Sequence, residues 1–225
     1  MMKKIKVIGA GGIGSILLPT LCRFLNTSGE SAIITVIDGD RYESKNETRQ
    51  LFSRLGNKAD VSIEKLENDF GKLIFRSKPE YVTDKSALYL LEEGDIIFSC
   101  VDNHKTRLLL SDFCENELDD VVLFSGGNSF TDGNIQLFIK QAGKNLTLPV
   151  ANKFHPEIMN PKDKRPDELG CGELVISAPQ LIFMNNMIAA LLLNAFYAHF
   201  YGEGCKYNEV YTDIITNNTR SLTRS

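Results

Sequence analysis

The 225-residue sequence lacks tryptophan, contains only three histidines, and has no Cys-x-x-Cys pair among its five cysteines. An odd number of widely separated cysteines argues against a disulfide framework and against a zinc site. Lysine and arginine number 25 against 29 aspartate and glutamate residues, and no block of like charge indicates nucleic-acid binding. We therefore expect a cytoplasmic protein whose partners are small molecules or other proteins.

The sequence also lacks the features of an exported or membrane-spanning protein. Residues 1–9 lead directly into a strand and a glycine turn, without the apolar region and cleavage site of a signal peptide. Residues 178–200 are largely apolar but include one glutamine and three asparagines, short of the ~18 uninterrupted apolar residues of a membrane span. We expect a buried helix here and no membrane partner.

Part of this predicted helix is apolar all round. Residues 187–193 contain no polar side chain. A single amphipathic face does not require such a run, so the helix needs burial on more than one side. This pattern predicts a homodimer in which the helix packs at least partly against a second copy.

The first 124 residues alternate short apolar runs with helical patterns. This alternation is typical of an open, mostly parallel sheet covered by helices. The later strand candidates, residues 134–140, 209–216 and 219–223, resemble hairpins instead. We predict one α/β domain over residues 1–225, with a Rossmann-like, mostly parallel sheet and helices on both faces. The strand order should reverse near the glycine-rich turn at residues 9–14, which we call the glycine loop. An antiparallel extension should follow at the C-terminus. The predicted parallel strands are residues 5–8, 32–37, 73–75, 95–101 and 121–124.

A long segment near residues 141–172 shows no clear periodicity. Four prolines and a charged run lie within it. An irregular segment of this length in a compact domain is usually functional or mobile. We predict a crossover loop here, closed by Cys171 between two glycines.

A glycine motif follows the first predicted strand. Gly9, Gly11 and Gly14 form a G-x-G-x-x-G pattern that opens a helix. The first glycine allows the tight turn, the second lets backbone approach phosphate, and the third allows close helix packing. Helix N-terminal N–H groups then face the anion. The motif indicates a nucleotide site but does not separate dinucleotide from mononucleotide binders.

Two acids end the second predicted strand. Asp38 lies 24 residues after Gly14, close to the ~20-residue spacing at which a carboxylate binds ribose hydroxyls. We expect Asp38 to bind a ribose. Asp40 fits a ligand contact and an acidic turn equally well.

Polar residues also end the third long strand of the pattern. Asp102 and Asn103 follow residues 95–101, and the ligand crevice of an open α/β sheet lies beyond the carboxyl ends of its strands. Asn103 is predicted to cap a helix that reaches Glu117, with Arg107 one turn inside it.

Four segments follow one another at characteristic spacing: Gly9-Ala10-Gly11-Gly12-Ile13-Gly14, Asp38-Gly39-Asp40, Asn46-x-x-Arg49-Gln50, and Cys100-Val101-Asp102-Asn103 with Arg107. In their order and spacing these segments resemble the ThiF/MoeB/HesA superfamily, the adenylating domain shared with ubiquitin-activating enzymes. The resemblance covers nearly the whole chain, including the long apolar helix and the eight-residue spacing from Cys171 to Pro179.

The resemblance implies a site for ATP and Mg²⁺. Activating a carboxylate with ATP requires cations on the triphosphate and a carboxylate on the metal. The implied cations are Arg49 and Lys58, and the implied Mg²⁺ ligand is Asp102. Relatives often carry two Cys-x-x-Cys zinc pairs, but this sequence has none, so no zinc is expected. The implied nucleotide-binding residues are Gly9, Gly11, Gly12, Gly14, Asp38, Asp40, Asn46, Arg49, Gln50, Lys58, Asp102 and Asn103.

The implied activity is adenylation of the C-terminal carboxylate of a ubiquitin-like or sulfur-carrier protein ending in Gly-Gly. Cys171 matches the position of a nucleophilic cysteine in some relatives, and a structural role for it stays open. Two other functions also stay open. A Rossmann oxidoreductase binding NAD or FAD fits the glycine loop and Asp38, and a non-catalytic dimeric module fits the fold.

Overall fold

A computed structural model describes residues 2–48, 50–168 and 180–225. Short 3-10 helices lie at Ser44–Asn46 and Pro166–Glu168. The α-helices are α1 (Gly14–Ser28), α2 (Lys58–Asp69), α3 (Asp84–Leu90), α4 (His104–Asn116), α5 (Pro156–Met159) and α6 (Ile182–Phe200). The strands are β1 (Lys3–Ile8), β2 (Ala32–Ile37), β3 (Arg41–Tyr42), β4 (Gly56–Asn57), β5 (Ile74–Lys78), β6 (Asp95–Ser99), β7 (Val121–Asn128), β8 (Asp132–Gln141), β9 (Lys144–Asn145), β10 (Glu209–Asp213) and β11 (Asn218–Leu222).

The main sheet has the order β11-β10-β8-β7-β6-β1-β2-β5, with β9 paired to β8. Strands β1, β2, β5, β6 and β7 are parallel, whereas β8, β10 and β11 are antiparallel. The order reverses at β1, because the chain moves outward to β2 and β5 and then returns to β6 on the other side. The predicted α/β fold with an antiparallel C-terminal extension is confirmed.

Apolar side chains cover both faces of this sheet. Alternate residues of a strand point to opposite faces, so Phe124 of β7 joins the core beneath α1, α2 and α6, and the preceding Leu123 joins the core beneath α3 and α4. Buried strands with helices on both sides are the usual form of a parallel sheet. The carboxyl ends of the parallel strands are left as one shared edge.

Helix α6 begins at Ile182, later than predicted, because Leu181 has extended backbone. It is long and apolar enough to cross a membrane by length and composition alone. One of its faces packs on β7, β8 and α1 through buried side chains such as Ile188. The opposite face leaves Phe183 and Tyr197 exposed by 69% and 54%. The predicted burial of this helix therefore holds for one face of it.

The predicted crossover loop contains strand β9, helix α5 and a 3-10 turn. Its His155 takes part in a cluster of polar and charged side chains that includes Glu209 of β10. His155 is 2% exposed, and its two ring nitrogens lie 3.0 Å from carboxylate oxygens of Glu157 and Glu209. Glu209 belongs to β10 and is 3% exposed, and it also accepts hydrogen bonds from Tyr211 and Arg224. This cluster joins the crossover segment to the C-terminal hairpin.

Substituting His155→Ala is expected to lower the free energy of unfolding by about 2 kcal/mol, because buried Glu209 would lose its imidazole hydrogen bond while keeping those from Tyr211 and Arg224. For a domain of this size the loss corresponds to a Tm about 4–8 °C lower. Thermal unfolding followed by circular dichroism measures it. Glu157→Gln is the matched control, since Glu157 is half exposed and its loss should cost under about 1 kcal/mol. Equal Tm values for the two variants would contradict this role of His155.

Candidate nucleotide site at the carboxyl edge of the sheet

An open cavity of about 820 Å³ lies at the carboxyl ends of β1, β2, β6 and β7. Crossing the sheet edge from β2 to β7, it is lined by Asp38 after β2, the glycine loop after β1, Asp102 after β6, and Gly127 near the end of β7. The reversal of strand order at β1 opens the sheet edge at this place, which is where ligands bind in open α/β folds.

The glycine loop is a tightly packed turn. Gly9 has φ +90°, and a Cβ at this position would lie 2.8 Å from the carbonyl oxygen of Cys100. A Cβ on Gly14 would lie 2.0 Å from the carbonyl oxygen of Gly9. Neither position admits another residue without displacing backbone. Gly11 and Gly12 line the cavity. The loop therefore brings backbone into the cavity at the start of α1, as an anion site requires.

Asp38 holds the glycine loop to the end of β2. Its carboxylate accepts hydrogen bonds from the backbone N–H of Ala10 at 2.7 Å and of Asp40 at 2.8 Å. Burial raises the pKa of Asp38, and the nearby Lys58 opposes that shift. Each carboxylate oxygen retains a further lone pair for a ligand hydroxyl.

Asp40, Lys58 and Tyr81 form a connected group on one side of the cavity. Lys58 lies at the start of α2, is 8% exposed, and places its Nζ 3.0 Å from Asp40. Burial alone would lower the pKa of Lys58, but Asp38 and Asp40 outweigh it and the pKa is raised. The other carboxylate oxygen of Asp40 accepts a hydrogen bond from Tyr81. Asp40 thus lines the cavity and also orients Lys58.

The segment from Asn46 to Gln50 is only partly in the cavity. Asn46 is buried in the 3-10 turn, where its Oδ1 accepts the N–H of Glu43 at 3.0 Å, and it does not line the cavity. Gln50 lines the cavity, and its buried Oε1 has no hydrogen-bond partner in the described part of the chain. Arg49 lies outside the described residues, as do Cys171 and Pro179. The roles of Asn46, Arg49 and Cys171 stay predictions.

Asp102 and Asn103 occupy the middle of the cavity edge. Asp102 is exposed to the cavity. Asn103 caps α4 as predicted, accepting the N–H of Thr106 at 2.7 Å, and it lines the cavity too. Across residues 2–48, 50–168 and 180–225, no group of three or more His, Cys, Asp or Glu side chains is placed to hold a metal ion.

The crossover segment contributes one boundary of the cavity. The carboxylate of Asp163 accepts hydrogen bonds from the first N–H groups of α4, those of His104 at 2.6 Å and Lys105 at 3.1 Å. Arg165 binds Asp84 of α3 at 3.0 Å. These contacts place Asp163, Lys164 and Pro166 along the cavity.

Sequence reasoning missed Tyr81, Val82 and the lining residues of the crossover segment. Tyr81 and Val82 follow β5, the strand beside β2, so the rule that identified Asp102 would have identified them as well. Together with Ile8 and Ile37 they give the cavity an apolar side. Asp163 carries no such signal, because the contact between crossover and α4 joins residues about 60 positions apart.

Curated relatives of this chain carry a shared description, adenylyltransferase and sulfurtransferase Uba4. The Aspergillus niger protein is 33% identical over 115 residues, covering 48% of this chain and 22% of that protein. The Lodderomyces elongisporus protein is 28% identical over 166 residues, covering 70% of this chain and 33% of that protein. The chain therefore spans a third or less of the length of these two relatives.

Solved structures share the fold over almost the whole chain. Escherichia coli MccB with ATP has a TM-score of 0.72 at 18% identity, covering 98% of this chain and 63% of MccB. The PaaA structure has a TM-score of 0.66 at 13% identity, covering 99% of this chain and 65% of PaaA. The profile of the ThiF family matches residues 2–223. A match over that length shows that the chain, with the cavity described above, belongs to the ThiF family.

Proposed function

We propose that the protein is an ATP-dependent adenylyltransferase that activates the C-terminal carboxylate of a ubiquitin-like or sulfur-carrier protein. The observation that carries the proposal is that one cavity gathers the glycine loop, a ribose-type carboxylate, a buried lysine and an exposed carboxylate. The Uba4 descriptions and the MccB complex with ATP support the same chemistry.

We propose a part in binding ATP for each group, based on its position along the sheet edge. Asp38 would accept the ribose hydroxyls, and the apolar side formed by Ile37, Tyr81 and Val82 suits the adenine base. The glycine loop would hold the phosphates, with Lys58 nearby as a cation. Arg49 is proposed as the second cation on the resemblance alone.

The donor set of the cavity fits Mg²⁺. This ion usually binds one or two protein carboxylates together with phosphate oxygens and water, so a single exposed carboxylate is sufficient. Asp102 would hold it, next along the edge from the phosphate loop. When bound, Mg²⁺ neutralises charge on the phosphates.

The reaction is a substitution at the α-phosphorus of ATP. A carboxylate oxygen of the carrier forms a bond to this phosphorus, and the bond from phosphorus to the oxygen of the pyrophosphate group breaks. The products are the acyl-adenylate and pyrophosphate, and no proton is transferred. The chain must therefore hold two anionic reactants together, which requires cations and N–H donors rather than a general base.

The oxidoreductase alternative has less support. A nicotinamide or flavin site gives no use for the Asp40–Lys58 pair or for Asp102 beyond β6. Membership of the ThiF family adds to this argument. A non-catalytic module stays an alternative, and a measurement of adenylation activity would distinguish it from the proposed enzyme. Cytoplasmic location stays a prediction.

We also propose that the protein is a homodimer. The outer face of α6 carries Phe183 and Tyr197, both more than half exposed, with the partly exposed Met187 and Leu193 beside them. Large apolar side chains along one helix face are typical of an interaction surface.

Asp102→Ala and Arg49→Ala are each expected to slow ATP–pyrophosphate exchange about 10³-fold, because each removes charge that stabilises the transferring phosphate. Exchange of radiolabelled pyrophosphate in the presence of a carrier ending in Gly-Gly measures the rate. Asp69→Ala and Arg220→Ala change exposed residues away from the cavity and serve as controls. Exchange at the wild-type rate in either site variant would remove that residue from the proposed site.

Cys171→Ser separates two later steps. If Cys171 accepts the activated acyl group, this variant should retain exchange but form no thiol-reducible adduct with the carrier. Adduct formation is read by gel electrophoresis with and without dithiothreitol, and Cys205→Ser is the control. An adduct that persists in Cys171→Ser would assign Cys171 a structural role.

Phe183→Glu is expected to shift the protein from about twice its 25.1 kDa chain mass to the monomer mass, because a charge would be buried in the dimer interface. Light scattering after size exclusion at micromolar concentration measures this. Leu88→Glu, at an equally exposed position on α3, is the control. A wild-type protein that is monomeric throughout this range would contradict the dimer.

A further inference from the structure

Arg107 is a buried cation between the ends of two strands. It belongs to α4 and is 7% exposed. Its Nη2 donates hydrogen bonds of 2.9 Å to the carbonyl oxygens of Val101, just after β6, and Gly126, in β7. Arg107 lines the cavity between Asp102 and the end of β7.

The space for this guanidinium depends on a glycine. A Cβ at Gly127 would lie 1.9 Å from Nη2 and 2.3 Å from Nη1 of Arg107. Gly126 is different, because a Cβ there would meet only the apolar side chains of Ile188 and Leu192 at 2.8 Å. Gly127 therefore sets the position of the guanidinium, and Gly126 sets the packing of α6.

Among the described residues, no carboxylate lies within 4.0 Å of the Arg107 guanidinium as an ion pair, although the charge of Asp102 favours the protonated form of Arg107 from farther away. Its Nε is buried without a partner, and its Nη1 donates to no described residue. Arginine is rarely buried unless paired, since an unpaired buried charge is costly. Lys58, in contrast, is paired with Asp40. The N–H groups of Nη1 are thus available for an anion that is not part of the chain.

The strand order gives the position of Arg107 relative to the glycine loop and Asp102. The glycine loop follows β1, Asp102 follows β6, and the guanidinium lies between β6 and β7, so it lies beyond Asp102 as seen from the phosphate loop. Adjacent strands are about 4.8 Å apart, so a group between β6 and β7 lies roughly 7 Å from β1 along the sheet edge. The guanidinium is therefore on the side of Asp102 that faces away from the glycine loop.

We propose that Arg107 binds the carboxylate of the carrier tail and holds it for attack on the α-phosphorus. The proposal rests on the adenylyltransferase function proposed above. Both hydrogens of Nη2 are already donated to Val101 and Gly126, so the carboxylate would accept charge-assisted hydrogen bonds from Nη1.

The test compares one carrier in two forms. A sulfur-carrier protein ending in Gly-Gly that supports exchange by the wild-type enzyme is prepared as the free acid and as the C-terminal carboxamide. Affinities are measured by calorimetry on enzyme saturated with Mg²⁺ and an ATP analogue that has a methylene group between the α- and β-phosphates. The wild type is expected to bind the acid ~10-fold or more tightly than the amide, as a charge-assisted hydrogen bond implies.

Two variants then identify the residue responsible. Arg107→Gln removes the charge but retains N–H donors for the two carbonyl groups, and Gly127→Ala displaces the guanidinium while retaining its charge. Each should reduce the ratio of the two affinities to ~1, with affinity for the ATP analogue within ~2-fold of the wild type. Gly71→Ala is the matched control and should keep the wild-type ratio, because a Cβ at Gly71 would meet nothing within 4 Å. Thermal unfolding of each variant confirms that it is folded, and Gly127→Ala decides the matter if Arg107→Gln does not fold.

Equal affinity of the wild type for the acid and the amide would overturn the proposal. A folded Arg107→Gln or Gly127→Ala variant that prefers the acid over the amide as strongly as the wild type does would also overturn it. Weaker binding of the ATP analogue with an unchanged ratio would assign Arg107 to the nucleotide instead. The absence of exchange by the wild type with any Gly-Gly carrier is a different result, because it contradicts the adenylyltransferase function itself.

Discussion

The structure depends on the close packing of the glycine loop against its neighbours. Gly9 approaches the backbone of Cys100, and Gly14 approaches the carbonyl of Gly9, at distances that leave no space for a side chain. These contacts hold the end of β1 against the end of β6 and fix where α1 starts. The position of Asp102 relative to the loop follows from the first contact. The position of the helix N-terminus follows from the second.

Charge is the other constraint on this cavity. Asp38 and Lys58 are both buried, and each changes the pKa of the other in the direction that favours its charged form. Arg107 is buried as well, but no carboxylate of the described residues lies within ion-pair distance of it. The charges of Asp38, Asp40 and Lys58 are thus balanced within the protein, whereas Arg107 would gain its ion-pair partner when an anion binds. A site that joins two anionic reactants needs both kinds.

The parts of this structure that sequence reasoning predicted are those governed by local rules. Strand periodicity predicted the sheet, the spacing from the glycine motif predicted Asp38, and the rule that ligands bind at the carboxyl ends of strands predicted Asp102 as a cavity residue. The position of Asn46 away from the cavity was not predictable, because a short 3-10 turn decides which way its amide points. The cluster of His155 and Glu209 joins residues 54 positions apart, and neither follows a motif. Such long-range polar contacts leave no periodic signal in a sequence.

The contact of Asp163 with α4 has a consequence for motion. Two backbone amides, those of His104 and Lys105, are covered by a side chain from the crossover segment and by no carbonyl of their own helix. Their hydrogen atoms are therefore protected from exchange with solvent only while the crossover lies against the helix. The amides of the following turns are protected by the helix itself. Deuterium uptake at these two positions thus follows the local opening of the crossover separately from unfolding of the sheet.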